Sequence, residues 1–243
     1  MDIELLVNGL SKEKLNTFED KLGCKTNEDK IATYMFMQDL SSHYFTIIQI
    51  IEVHLRNAIH KAATNKFDDD EWFTNVPTSQ KSKNQVDKAI EDSLENVGVK
   101  YTSDDVIANL SFGFWVHMLH EDYGNPRKKE KNLWQYKFDD AFPYAKNKGK
   151  KRAALFRELG TLNKFRNRLY HHEPVWKQVK VNNINDAIKV LDNHYDKHIQ
   201  FLSYMSKDAV TLIETLGLAN KFKQSCKKEN LEAYKAKLAA LNE

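Results

Sequence analysis

The stretch Lys164-Phe165-Arg166-Asn167-Arg168-Leu169-Tyr170-His171-His172-Glu173-Pro174 closes the clearest helical repeat in the chain. Leu155, Leu159, Leu162 and Leu169 recur at helical spacing, and the position expected to complete this apolar stripe is Arg166. Pro174 disfavours helical geometry at Glu173, so the helix is expected to end near His171 or His172, with both imidazoles at its mouth. At 100° per residue, Asn163, Arg166, Asn167, Tyr170 and His171 fall in one sector of roughly 140°.

That grouping suits phosphate chemistry on RNA. Arg166 carries a permanent charge on a planar fork of donors that matches phosphate oxygens. His171, five residues on, gives or takes a proton near neutral pH. Asn167 would position the histidine or the phosphate, with Tyr170 and His172 beside them. The same residues also suit a purely structural role: an arginine near a helix C-terminus favours the dipole, and His171 or His172 can cap free carbonyls. The bare spacing also leaves open whether His171 or His172 handles the proton.

Working outward, the composition points to an all-α protein. The 243 residues, 41% of them hydrophobic, can bury a sizeable core, and four prolines with eight glycines leave few breakers. Leu, Ile, Lys, Glu and Ala recur at helical period with few alternating β-branched runs. Helices are expected near 11–22, 28–40, 41–65, 79–96, 103–121, 127–141, 150–171, 183–204, 206–216 and 218–241. Breaks are expected at Gly23, the Asp68 acidic run with Pro77, Gly98, Gly124-Asn125-Pro126, Pro143, Pro174 and Gly217. With no internal repeat or flexible linker, one all-helical domain is expected over 1–243. Its core lies at about 28–205, and an amphipathic helical segment follows at about 206–243.

Charge is unevenly spread. The net charge is +3, yet Pro126 to Arg168 holds fourteen Lys or Arg against four acids, Glu130, Asp139, Asp140 and Glu158. Lys146, Lys148, Lys150, Lys151 and Arg152 crowd the loop before the motif helix, and with Arg168 they form a candidate RNA-backbone contact, the alternative being a solvated face. On the expected helix from Ser42 to Ala63, Glu52, Arg56 and His60 repeat every four residues beside the stripe Phe45, Ile48, Leu55 and Ile59. Glu52 before Arg56 is the favourable order for a helical ion pair. If this helix packs against the Arg166 helix, Glu52, Arg56 and Asn57 would orient the reacting groups. The aromatic block Phe112, Phe114 and Trp115 reads as core, with base stacking as the other reading.

Several classes find no support in the sequence. Cys24 and Cys226 stand at opposite ends and suggest free thiols in a reducing cytosol. The acidic start Met1-Asp2-Ile3-Glu4 is unlike a signal peptide, and the most hydrophobic stretch, Tyr44 to Ile59, is too short and too charged to span a bilayer, so a soluble cytoplasmic protein is expected. His117 with His120, and His194 with His198, have one-turn metal-ligand spacing but no complete ligand set. The P-loop, G-x-S-x-G and H-E-x-x-H patterns are missing. No metal and no cofactor are expected.

Three segments carry a resemblance. Arg166 to His171 resembles the R-x(4-6)-H signature of the HEPN superfamily of helical RNA-cleaving domains, and its wider text Arg166 to Val175 resembles the Abi-like abortive-infection family within it. Ile51 to Ile59 resembles that family's E-x-x-L-R-N-A-I helix, and Ser103 to Trp115 its D-x-V-x-x-L-S-F-G-F-W block. The resemblance implies a HEPN-type helical bundle with additional N- and C-terminal helices. It implies a metal-independent endoribonuclease in which Arg166, Asn167 and His171 are catalytic and the products carry 2′,3′-cyclic phosphate ends. It further implies a homodimer whose two motifs share one cleft, acting as a toxin in antiphage defence; such an activity must be restrained, by a structured RNA or a protein antitoxin covering the basic cleft, and the local positive charge favours RNA. The competing expectation is a non-catalytic RNA-binding module that grips phosphate with the same groups, and a third is a structural dimer in which the motif only caps a helix.

Overall fold

The computed structural model describes residues 1–76 and 79–241. Pro77, expected to mark a break with the Asp68 run, and the last two residues of the C-terminal segment lie outside the described residues. The fold is all-α, with no strand among the described residues. The helices are α1 (Ile3–Leu10), α2 (Lys12–Leu22), α3 (Asn27–Phe67), α4 (Trp72–Asn75), α5 (Gln80–Val97), α6 (Ser103–Asn109), α7 (Phe112–His117), α8 (Trp134–Ala141), α9 (Arg152–Tyr170), α10 (Ile184–Met205), α11 (Lys207–Thr215), α12 (Leu218–Ser225) and α13 (Lys228–Ala239). Short 3₁₀ turns cover Glu121–Gly124 and Lys146–Lys148. Among the described residues no helix is long and apolar enough to cross a membrane.

The chain forms two compact units. The first gathers Met1–Ile48, Arg166–Ile199 and Thr211–Glu243. Its core is aromatic: Phe18 meets Trp176 edge-on at 5.2 Å, and the Tyr195 and Phe222 rings stack at 4.0 Å. Tyr44 packs against both Tyr195 and Phe222, and its buried hydroxyl donates to the Leu191 carbonyl. A smaller cluster of Val7, Leu15 and Ile31, joined by Leu238, ties α1, α2 and α13 to the start of α3.

The second unit comprises Gln49–Phe165 and Gln200–Val210. Trp72, Phe114 and Trp115 pack ring against ring, with Phe114 and Trp115 at 5.2 Å. The Trp134 indole donates to the Met118 carbonyl at 2.6 Å, and Phe142 lies between Trp134 and Phe201. The block Phe112, Phe114 and Trp115 is thus buried core.

Several expected boundaries shift: the helix expected over 127–141 begins only at Trp134, and the one expected over 218–241 is two, α12 and α13. The two helices expected at 28–40 and 41–65 are one helix of 41 residues. The Ser41 and Ser42 hydroxyls donate back to the Met37 and Asp39 carbonyls, at 2.6 and 2.7 Å, so the serine pair is absorbed without a break. The helix expected over 103–121 is two, because Ser111 is extended and its hydroxyl accepts from the Phe114 N–H, starting α7 anew. The helix α1, absent from the sequence expectations, is capped by Asp2, whose carboxylate accepts from the Leu5 N–H at 3.0 Å.

Candidate functional site

The last turn of α9 belongs to the first unit and is built from Arg166, Asn167 and Tyr170. Phe165, buried beside Leu162 and Leu169, completes the apolar stripe in place of Arg166. Arg166 is left half-buried at the edge of that stripe. Its guanidinium carbon lies 4.1 Å from the centre of the Tyr170 ring, and Nη1 reaches Asn167 Oδ1 at 3.4 Å. The Tyr170 ring rests in turn against Phe45 at 5.3 Å. An aromatic ring against one face of a guanidinium desolvates that face and favours one orientation of the cation.

His171 and His172 follow, both exposed. The His171 N–H still donates to Asn167 O, at 2.9 Å, as the last bond of the helical pattern. His172 then enters the left-handed region at φ 56°, while its N–H donates to Leu169 O and that of Glu173 to Arg168 O. These two bonds are the Schellman closure, in which glycine usually holds the position of His172. The turn therefore carries a local cost at His172 and fixes where the His171 side chain begins.

Arg168, expected as an RNA contact, is engaged with the protein's own turn. Its Nε donates to Glu173 at 3.3 Å, Nη1 to Lys177 O at 3.2 Å, and Nη2 to Pro174 O. Charge-assisted bonds to two carbonyls and a carboxylate make it a clamp on residues 173–177. The sequence hid this role because it exists only once the chain has turned back after Pro174.

Glu52, Arg56 and Asn57 are on α3 within the second unit. Arg56 Nε reaches Asn57 Oδ1 at 3.4 Å, repeating the local arginine–asparagine pairing of α9. His60 accepts a hydrogen bond from the Trp72 indole at 3.1 Å, and burial pushes its pKa down, which suits a neutral acceptor. Glu52 and Arg56 line a cleft of about 130 Å³ with Ala108, Phe112 and Trp115, so two distant segments of the sequence meet there.

Residues 8–177 match the family model described as Abi-like protein, a span that includes α9 and both segments at the cleft. The chain belongs to the Abi-like family. No curated protein and no solved structure matches it.

In this Abi-like chain the basic loop before α9 divides into two kinds of residue. Lys146, Lys148 and Lys151 are exposed, with Lys146 3.6 Å from Asp139. Lys150 is paired with Glu158 and lies over the Tyr204 ring at 5.8 Å. Arg152 donates to the Leu119 carbonyl, and its side chain packs so closely on Gly124 that a Cβ there would stand 2.9 Å from its Nε. Lys150 and Arg152 thus hold the fold together, and the exposed lysines are the ones presented to solvent.

Among the described residues no group of three or more His, Cys, Asp or Glu is placed to hold a metal ion. The His117 and His120 rings stack at 5.3 Å, and His120 Nδ1 lies 3.3 Å from Asp122. His198 Nδ1 donates to the His194 carbonyl at 2.6 Å, and the Gln178 amide meets His194 Nε2 at 3.1 Å. Burial holds both His194 and His198 down to about 4, so they are neutral at pH 7.

Proposed function

We propose that this Abi-like protein is a metal-independent endoribonuclease of the HEPN type that acts as a toxin in abortive-infection defence in the bacterial cytoplasm. The observation that carries the reading is the last turn of α9, where the Arg166 guanidinium lies over the Tyr170 ring, with the exposed His171 five residues after Arg166.

RNA brings its own nucleophile. The 2′-hydroxyl attacks the adjacent phosphorus, the bond to the 5′-oxygen breaks, and the products are a 2′,3′-cyclic phosphate and a 5′-hydroxyl. His171 takes the proton from the 2′-hydroxyl or delivers one to the leaving oxygen, a contribution of roughly 10²- to 10⁴-fold. Arg166 neutralises the charge that grows on the phosphoryl oxygens, and Asn167 steadies Arg166. Two proton transfers want two groups. A second copy of the chain supplies the second motif, giving a homodimer with a shared cleft. Lys146, Lys148 and Lys151 would hold the RNA backbone, and a structured RNA or protein antitoxin would restrain the activity by covering it.

The chemistry of the ends tests this. RNA incubated with the protein in excess EDTA is expected to yield 5′-hydroxyl ends that accept phosphate from a kinase, and 3′ ends blocked by a cyclic phosphate. Ends bearing 5′-phosphate and 3′-hydroxyl would contradict the proposed attack, and RNA bound but left intact would favour a binding module.

A further inference from the structure

The turn that carries His171 and His172 is held from both sides. On the α9 side three consecutive N–H groups meet helix carbonyls: His171 donates to Asn167 O at 2.9 Å, His172 to Leu169 O at 3.1 Å and Glu173 to Arg168 O at 2.8 Å. On the far side the chain is anchored in the core of the first unit, where Val175 and Trp176 are buried and the Trp176 ring meets Phe18. The Lys177 N–H donates back to Pro174 O at 3.1 Å and closes that part of the turn on itself. Both imidazoles are exposed, yet the backbone beneath them is bonded at every step.

Arg168 joins the two sides. Its carbonyl accepts the Glu173 N–H, and its Nε donates to the Glu173 carboxylate at 3.3 Å. Nη1 donates to Lys177 O at 3.2 Å and Nη2 to Pro174 O. Three nitrogens of one rigid fork thus serve acceptors on three residues and set the distance between the end of α9 and residues 173–177. A lysine at this position would keep the positive charge that a helix C-terminus favours, but its donors sit on a single atom and cannot span the same acceptors.

That distinction bears on the proposed chemistry. The last turn of a helix ordinarily frays, and a reacting group misplaced by about 1 Å loses roughly a hundredfold in rate. Because the His171 side chain is exposed, its reach is governed chiefly by the backbone from which it starts. We infer that Arg168 is a positioning residue of the ribonuclease site, which fixes the turn from which His171 reaches the phosphate without itself touching RNA. The inference rests on the ribonuclease reading, to which it adds a residue that acts through the backbone of His171.

The test measures single-turnover cleavage of one RNA by the full chain over a range of protein concentrations, which separates the rate at saturation from RNA affinity. Wild type, Arg168→Lys and Glu173→Gln are compared, with amide hydrogen exchange followed in the same three proteins. Arg168→Lys is expected to lower the saturated rate by about tenfold or more and to leave the half-saturating concentration within about twofold. Exchange should quicken at His171, His172 and Glu173 while the amides of Leu155, Leu159 and Leu162 stay protected. Glu173→Gln keeps an acceptor for Nε without its charge, so a smaller fall of about threefold is expected. It carries the test should Arg168→Lys lose protection along the whole of α9. A saturated rate unchanged in the variant read, or a loss that lies wholly in RNA affinity, overturns the inference and leaves the ribonuclease reading standing. RNA left whole by the wild type defeats both.

Discussion

The Arg166 guanidinium lies 4.1 Å from the centre of the Tyr170 ring, the residue one turn later on α9. The contact orients the cation that the proposed chemistry aims at phosphate, and Phe45 backs the ring. A cation–π contact of this kind contributes about 0.5–2 kcal/mol according to how far it is desolvated. Tyr170→Ala is therefore expected to lower the RNA cleavage rate by roughly twofold to thirtyfold. Tyr170→Phe should keep most of it, and Arg166→Lys should not rescue an Arg166 defect, because an ammonium lacks the planar fork. Single-turnover rates on one RNA check all three.

His172 sits at φ 56°, a conformation that glycine adopts without strain. His172→Gly is expected to stabilise the protein by about 1 kcal/mol, read as a higher urea midpoint with unchanged slope. The same variant separates the two imidazoles, since cleavage retained in His172→Gly assigns the proton transfer to His171.

Arg168 clamps the turn that follows the motif through Glu173, Pro174 and Lys177. Arg168→Ala is expected to destabilise the protein by about 2 kcal/mol, mostly from carbonyls that lose charge-assisted donors. The salt dependence of RNA binding should be the same in this variant as in wild type, whereas Lys148→Ala and Lys151→Ala should each flatten it. Denaturation and binding at several salt concentrations distinguish the two kinds of residue.

Acid should weaken the first unit through two histidines. Burial holds His198 and His194 at about 4, against 6.5 in an unfolded chain, so as pH falls the unfolded state takes up protons first. Their contribution is complete above about pH 6.5 and is lost progressively toward pH 4. At pH 5 the loss from His198 alone is on the order of 2 kcal/mol. Denaturation at pH 7 and pH 5 should show that fall, reduced in His198→Gln.

Local pattern made much of this legible. The leucine repeat 155, 159, 162 and 169 placed α9 at 150–171, against Arg152–Tyr170, and Pro174 marked its end. Gly23 and Gly217 broke the chain where expected, both at positive φ. What local pattern cannot hold is where side chains go after the chain folds back. Arg168 and Arg152 read as free cations because the carbonyls they bind, on Pro174, Lys177 and Leu119, come within reach only in the folded chain. Phe165 is hidden in the sequence for the opposite reason: the leucines alone mark the stripe, and the aromatic that fills the same face lies outside their pattern. Membership of one cleft by Glu52 and Trp115 is likewise a tertiary fact, since more than sixty residues separate them.

The most direct test of the central claim is cleavage of end-labelled cellular RNA by the purified protein in excess EDTA, comparing wild type with His171→Ala and Arg166→Ala. Cleavage to cyclic-phosphate ends that falls at least a hundredfold in both variants, with folding intact, is the predicted result. Cleavage that persists in both, or RNA that stays whole with the wild-type protein freed of any copurified inhibitor, would contradict the account.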